Sequence, residues 1–433
     1  MTSPRPKSSA AQLCYVWAWL PGRTDPVVVG RLDTDGPRLP FSYGATYRRS
    51  ADSISLYEPE LPLREGVIYP PVELDIASCL RDAAPDAWGQ RLILDRLTGA
   101  HGASADPGQL PVLTYLREAG SDRIGGLDFQ DSATDYEPRT RTAPFEQLLQ
   151  AAADFAEGAE IFGPLAEALV NGTSIGGARP KVLLSEATAD GPRRMIAKFS
   201  LSNDPFPIIK SEAAAMSLAR RVGLNVAGTR YTRVLDRDVL LVDRFDRPGC
   251  VGSGPGQVGE RRLMVSALTI LGGDERGSHQ YRGYPELADE IRRRFTDPRK
   301  TLHELFDRIV FNILISNTDD HPRNHAAFWD GTHLSLTPAY DLCPSLRTGD
   351  TATQAMGIDR GHNRASRLGL CVAASDIYQL DRVTARERID SMIAVIEREW
   401  DDAADEGGLT RAERDRLWRR QFLNPAIDYD DWA

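Results

Sequence analysis

The sequence predicts an α+β fold. A β-rich N-terminal subdomain comes first, then strands around one helix, then a mostly helical C-terminal region. Three observations carry that expectation. Residues 12–70 hold short apolar runs punctuated by Pro-Gly and Asp-Gly, the pattern of short strands and turns. Two further pairs of apolar runs are joined by Asp190-Gly191 and Asp330-Gly331, which are hairpin turn signals. Leu302, Leu305, Phe306, Ile309, Val310, Ile313 and Leu314 repeat at helical spacing.

Composition sets the outer bounds. A chain of 433 residues is long enough for two or three domains with a large core. Its 41% hydrophobic and 26% charged residues are those of a globular protein. A formal net charge of −10 argues against a chain that binds nucleic acid by itself. The five cysteines, Cys14, Cys79, Cys250, Cys343 and Cys371, are scattered without C-x-x-C spacing. That points to a reducing cytoplasm, without a disulfide framework or a zinc site. No stretch approaches the roughly 20 apolar residues of a membrane span. The apolar run Cys14–Leu20 is too short for a signal sequence and reads as a first strand.

Tyr15–Leu20, Pro26–Leu32 and Leu39–Ala45 are expected as strands. Helical character begins near Asp75, and Asp86 is placed to cap a helix that packs through Trp88, Leu92 and Leu94. Leu113–Arg117 reads as a second short helix. The segment Gly120-Ser-Asp-Arg-Ile-Gly-Gly126 is a loop leading into a strand. The polar stretch 130–142 reads as a connection and sets a boundary near residue 140. The N-terminal subdomain is then 1–140. The rest, 141–433, divides into a strand-containing part over about 165–245 and a helical part over about 260–433.

Phe145–Leu169 is helical by composition. The small residues Gly176, Gly177 and Ala178 then permit close backbone approach, and N–H groups of such a loop suit phosphate. This is not a Walker A sequence, since Lys181 lacks a following Ser or Thr. A plain hairpin turn has the same composition. Two strands follow, and the second carries Lys198 between Ala197 and Phe199. A lysine inside an apolar strand is costly unless paired. Glu212, expected in the first turn of a helix over Ser211–Gly223, is a partner within reach, or simply an acid favoured at a helix N-terminus. Gly-rich loop, strand, turn and strand with an inward Lys is the arrangement of a kinase N-lobe. Two more strands lead to Asp243-Arg244-Phe245, which in that layout is the hinge that holds adenine.

The long helix ends at Ser316, where the most informative stretch begins. Asp319 and Asn324 are five positions apart, the spacing of a kinase catalytic loop. There the Asp orients and deprotonates the attacking hydroxyl, and the Asn holds magnesium. The hairpin Ala326–Thr337 returns a second carboxylate, Asp341, toward the first. Phosphoryl transfer spreads negative charge over three oxygens, so positioning a base and a hard cation is most of the catalytic work. Asn-Thr-Asp-Asp-His is also a good turn or cap sequence in its own right. A zinc-hydrolase reading rests on His321 and His325 being four apart, but Pro322 intervenes and the Glu of H-E-x-x-H is absent.

Taken in order, these segments resemble the HipA family of serine/threonine-kinase toxins from bacterial toxin–antitoxin pairs. The resemblance runs over most of the chain. It is carried by Thr173-Ser174-Ile175-Gly176-Gly177-Ala178 with Lys181, by Asn317-Thr-Asp-x-His-x-x-Asn324, and by Pro338-Ala-Tyr-Asp341. Ala84-Pro-Asp-Ala-Trp-Gly89 and Gly120-Ser-Asp-x-x-Gly-Gly126 are similar to segments of that family's N-terminal subdomain. The resemblance implies a two-lobed, protein-kinase-like body using ATP and magnesium. Asp319 would be the base, and Asn324 and Asp341 the metal ligands. Ser174, Ile175, Gly176, Gly177, Ala178 and Lys181 would form the phosphate loop. Lys198 would contact phosphates with His321 nearby, and Asp243, Arg244 and Phe245 would line the nucleotide. Ser174 matches a serine that members autophosphorylate to switch themselves off, by placing about two negative charges where ATP must sit. The resemblance also implies a HipB-like helix-turn-helix antitoxin through which DNA is contacted, and a protein substrate such as an aminoacyl-tRNA synthetase. The stretch after the hinge, Arg261-Arg-Leu-Met-Val-Ser-Ala-Leu268, departs from the polar pattern of the family, so adenine contacts do not carry over there.

Overall fold

The computed structural model describes residues 13–100, 106–141, 143–170, 179–188, 191–248, 259–273, 282–347, 349 and 351–428. The chain divides into two compact units that do not follow chain order. One comprises residues 1–183 and 246–263, the other 184–245 and 264–433.

The first unit is built on an antiparallel sheet of β1 (Leu13–Ala18), β2 (Val27–Asp33), β3 (Phe41–Tyr43), β4 (Val67–Ile68) and β5 (Leu127–Gln130), in the order β4-β3-β2-β1-β5. Cys14, Val16 and Ala18 of β1 point into the core, as a period of two requires. Short helices α1 (Ala45–Arg48) and α2 (Ser78–Arg81) precede the longer α3 (Ala87–Thr98). Asp86 caps α3 by accepting Gly89 N–H at 2.7 Å, and Gly99 ends it at φ 71°. Helix α4 (Val112–Glu118) leads to the Gly120–Gly126 loop. Arg123 there is fully buried, yet it donates to Asp128 at 2.9 Å and to the carbonyls of Ala83, Leu116 and Ala119. The expected helix over 145–169 is two helices, α5 (Phe145–Ala156) and α6 (Gly163–Val170). Gly158 and Gly163, at φ 97° and 69°, break it. Segment 246–263 belongs to this unit through side chains. Asp246 accepts Gly125 N–H at 2.7 Å, Arg261 donates to Ser121 O at 2.6 Å, and its guanidinium lies 3.8 Å over the Trp19 ring.

The strand β6 (Lys181–Thr188) crosses from the first unit to the second. It joins β7 (Gly191–Phe199), β8 (Thr229–Val234) and β9 (Arg237–Asp243) in a sheet ordered β6-β7-β9-β8. Helix α7 (Ile208–Arg221) packs against β8 and β9. It begins three residues earlier than the sequence suggests, so Glu212 sits in its second turn. Next come β10 (Met264–Ser266), α8 (Ala267–Ile270), α9 (Tyr284–Arg294) and α10 (Pro298–Leu314). The hairpin β11 (Ala326–Trp329) and β12 (Leu334–Leu336) pairs through β11 with β10. Helices α11 (Leu368–Ala373), α12 (Arg382–Glu406) and α13 (Arg411–Leu417) complete the unit. Helix α13 stops at Leu417, where Trp418 turns to extended backbone and Arg419 to φ 59°. Among the described residues no helix is long and apolar enough to cross a membrane.

Candidate active site

Lys198 lies on β7 opposite Leu240 of β9, and its ammonium group is drawn into two carboxylates. Glu212 of α7 accepts from Nζ at 2.6 Å, and Asp341 accepts from the same nitrogen. Burial by itself would lower the Lys198 pKa. The two carboxylates outweigh it and hold the amine well above its ordinary value, so Lys198 is a fixed cation. Asp341 follows the hairpin at φ 59°, a left-handed conformation that Asp tolerates better than most residues.

The loop that carries Asp319 is fixed at both ends. Helix α10 ends in a Schellman turn: Ser316, at φ 54°, donates to Ile313 O at 3.1 Å, and Asn317 N–H to Asn312 O at 2.8 Å. Helix α10 is thereby turned sharply into the loop. His321 caps a single 3-10 turn, Pro322–Asn324, by accepting Arg323 N–H on Nδ1 at 3.2 Å. Asn324 donates from Nδ2 to Asp319 O at 3.1 Å, which fixes the orientation of its amide. Tyr340, next to Asp341, donates to Arg323 O at 2.6 Å and ties the hairpin exit to the loop.

Asp319 and Asp320 are neighbours with different surroundings. Asp319 is exposed as a residue, but the surrounding protein takes part of the water from its carboxyl. That loss of water raises its pKa. His321 opposes the rise, and the charges of Asp341 and Asp320 add to it. Asp320 is buried and accepts from Tyr284 Oη at 2.5 Å, Asn312 Nδ2 at 2.8 Å and meets His325 Nε2 at 2.9 Å. Burial would raise its pKa, but His325 and Tyr284 hold the carboxyl below the ordinary aspartate value.

The residues singled out from sequence fall into four groups. Lys198, Asp319, His321, Asn324 and Asp341 gather in one place in the second unit, joined by the contacts above. Phe245 packs edge-on to Phe328 with centroids 6.0 Å apart and lies 5.7 Å from Tyr340, which places the segment after β9 beside the hairpin. The Asp243 carboxylate is committed to Arg193, which donates to it at 2.6 Å, and Arg244 N–H donates to Arg194 O at 2.9 Å. Lys181 is different. It belongs to the first unit, is buried, and faces Asp86 at 3.4 Å. Ser174, Ile175, Gly176, Gly177 and Ala178 lie outside the described residues.

Sequence reasoning missed Asn312, Asp320 and Tyr284, and weighed His325 only as a zinc ligand. Asn312 had a readable signal: it is a polar amide on an otherwise apolar, buried face of α10. Asp320 had only its place beside Asp319.

An oxygen-rich set suits magnesium, and the donors here are the Asp341 carboxylate and the Asn324 amide. Among the described residues no three His, Cys, Asp or Glu side chains converge as a self-sufficient metal cage. Magnesium, which keeps waters and shares itself with substrate phosphates, does not need one.

A family model described as the HipA-like C-terminal domain matches residues 173–400. Three curated relatives match shorter stretches. A protein named as a candidate kinase, Y4mE of Sinorhizobium fredii, is 28% identical over 144 residues, 33% of either chain. The serine/threonine-protein kinase toxin HipA of Shewanella oneidensis is 28% identical over 166 residues, 35% of this chain and 38% of that one. Toxin YjjJ of Escherichia coli is 22% identical over 192 residues, 42% and 40% of the two chains. The chain thus spans between a third and two fifths of the length of these relatives. Among solved structures, a chain of the Shewanella oneidensis HipA, HipB and operator DNA complex superposes with a TM-score of 0.66. It is 19% identical, and the match covers 96% of this chain and 99% of that one. That likeness shows a shared α+β fold.

Proposed function

The chain belongs to the family defined by the HipA-like C-terminal domain, and from that premise we propose that it is an ATP- and magnesium-dependent protein serine/threonine kinase. The observation that carries the reading is Lys198 on its strand, paired with Glu212 of α7 and Asp341 beyond the hairpin, beside the Asp319 loop. In this reading Lys198 presents a permanent positive charge to the nucleotide phosphates. Asp319 orients the acceptor hydroxyl and takes its proton. Asn324 and Asp341 hold magnesium, which when bound neutralises charge on the phosphate oxygens. His321, with Nδ1 accepting a backbone bond, has Nε2 left to donate toward the nucleotide.

Ser174 is the autophosphorylation site in this reading, with Ile175, Gly176, Gly177, Ala178 and Lys181 as the phosphate loop and Asp243, Arg244 and Phe245 at the adenine. The partner is a HipB-like antitoxin that makes the DNA contact, the compartment is the cytoplasm, and the target is a host protein such as an aminoacyl-tRNA synthetase. The Shewanella oneidensis complex of HipA, HipB and operator DNA supports the partner class. A small-molecule kinase of the same fold is the competing reading, and a silent regulator bound to a DNA-binding antitoxin is another. The set Lys198, Asp319, Asn324 and Asp341 favours catalysis.

The test is incubation with magnesium and labelled ATP, with and without cell lysate, followed by phosphopeptide mapping. Label on Ser174 or on one lysate protein is expected. Asp319→Ala is expected to lower transfer by about 10²–10⁴-fold with little change in melting temperature, because that side chain is exposed. ATP binding without transfer to any protein would favour the small-molecule reading, and no ATP binding would favour the silent regulator.

A further inference from the structure

The last helices of the chain form a corner against the helix on which Lys198 depends. Helix α12 ends at Glu406, α13 starts at Arg411, and Gly407 and Gly408 open the turn between them. Gly407 is pressed onto the backbone of α7. A Cβ there would stand 2.8 Å from Lys210 O and 2.9 Å from Ala214 N, closer than such atoms pack. Gly408, at φ 69°, faces the ring of Tyr231 on β8, which a Cβ would strike. Only glycines let the corner seat this deeply.

Lys210 and Ala214 share one face of α7, and Glu212 projects from the opposite face. Contact at the corner therefore backs Glu212 toward Lys198. Ion pairs flank the contact on both sides. Lys210 donates to Glu413 at 3.1 Å, and Arg221 donates to Glu399 and to Glu406, each at 2.6 Å.

We propose that the α12–α13 corner, seated through Gly407 and tied by Arg221, is a positioning clamp that keeps the Glu212–Lys198 pair permanently made. In protein kinases the placement of the helix carrying this Glu is a control point. Here that helix is held from behind by the chain's own C-terminal helices, so activity is not gated by its movement. The consequence for phosphotransfer rests on the kinase reading. The contact between Glu212 and Lys198 does not.

The test therefore reads Lys198 directly. The full-length protein is pulsed with limiting isotopic acetic anhydride, and Lys198 acetylation is followed by peptide mass analysis. Glu212→Gln sets the scale for a lost pair. Val383→Ala, on an exposed position of α12, is the control. Gly407→Ala is expected to speed Lys198 acetylation about threefold or more, toward the rate of Glu212→Gln, because an amine released from its carboxylate partner is more open to the reagent. Val383→Ala is expected to match the wild type. In phosphotransfer, Gly407→Ala is expected to lower kcat at a temperature where it remains folded. A fall in melting temperature with Lys198 acetylation unchanged would overturn the clamp and leave the corner a stabilising contact only. If Gly407→Ala fails to fold, Arg221→Gln is judged by the same acetylation criterion. Faster acetylation in a protein whose wild type transfers no phosphate to any protein would keep the clamp and remove the protein-kinase reading.

Discussion

Two adjacent carboxylates divide the work of the loop at the residue scale. Asp319 is the exposed one, and its loss is expected to touch chemistry more than folding. Asp320 is buried, and three donors from α9, α10 and the strand start converge on it. Removing it leaves Tyr284, Asn312 and His325 facing a void. Asp320→Ala is therefore expected to cost about 3 kcal/mol of stability, the size of a broken buried pair. Urea unfolding of the two alanine variants checks the contrast. Equal stabilities would mean that Asp320 is not the anchor of the loop. The same reasoning explains why α10 carries polar residues inside. Arg308 is almost fully buried, donating to Glu304 at 3.0 Å and Thr337 O at 2.8 Å, and Asn312 bridges Asp320 and Asn317. Each joins the helix to a segment of the site.

Pairs of elements add a pH dependence of their own. Asp307 of α10 accepts from Arg388 of α12 at 2.7 Å. Burial pushes its carboxyl from 3.8 up to about 6, against the pull of Arg388. A carboxyl with a raised folded-state pKa holds its proton more tightly when folded. Its contribution is thus full below the ordinary value and is lost as pH rises through about 6. Asp307→Asn is expected to flatten this slope. Melting temperatures of both proteins between about pH 4 and pH 7 provide the check, and parallel curves would exclude Asp307 as the source. The α10–α12 contact matters because α12 also reaches α7 through Arg221.

The molecule as a whole is organised by a chain that leaves its first unit and returns to it. Asp246, Arg247 and Arg261 complete the first unit by binding the Gly120–Gly126 loop. The boundary near residue 140 remains a proposal about where a folding segment ends, and it is open to test. Deleting residues 1–140 is expected to strand segment 246–263, whose Asp246 and Arg247 are buried against Asp122 and Gly125. The shortened protein is expected to be less soluble and to melt lower. Replacing 246–263 by a Gly-Ser linker is expected to restore part of the solubility. Full solubility of the first deletion would show that 246–263 does not depend on the N-terminal sheet.

By itself the sequence determined the α+β class, most strands and helices, and the stretches proposed to bear the chemistry. Those features depend on interactions a few residues apart: alternation in β1, the Asp86 cap, the periodicity of α10, the Asp-Gly turn of the hairpin. It also offered Glu212 as one partner for Lys198, 14 positions away on a neighbouring element, and the structure makes that contact. Only the tertiary structure decided that Asp341, 143 positions from Lys198, takes the same ammonium. It alone put Lys181 against Asp86 in the other unit, gave Asp320 its three donors, and made Gly407 a point of backbone contact. Local patterns record what a segment prefers. Which distant segments meet depends on how all the apolar faces are buried at once, and no short window of sequence carries that sum.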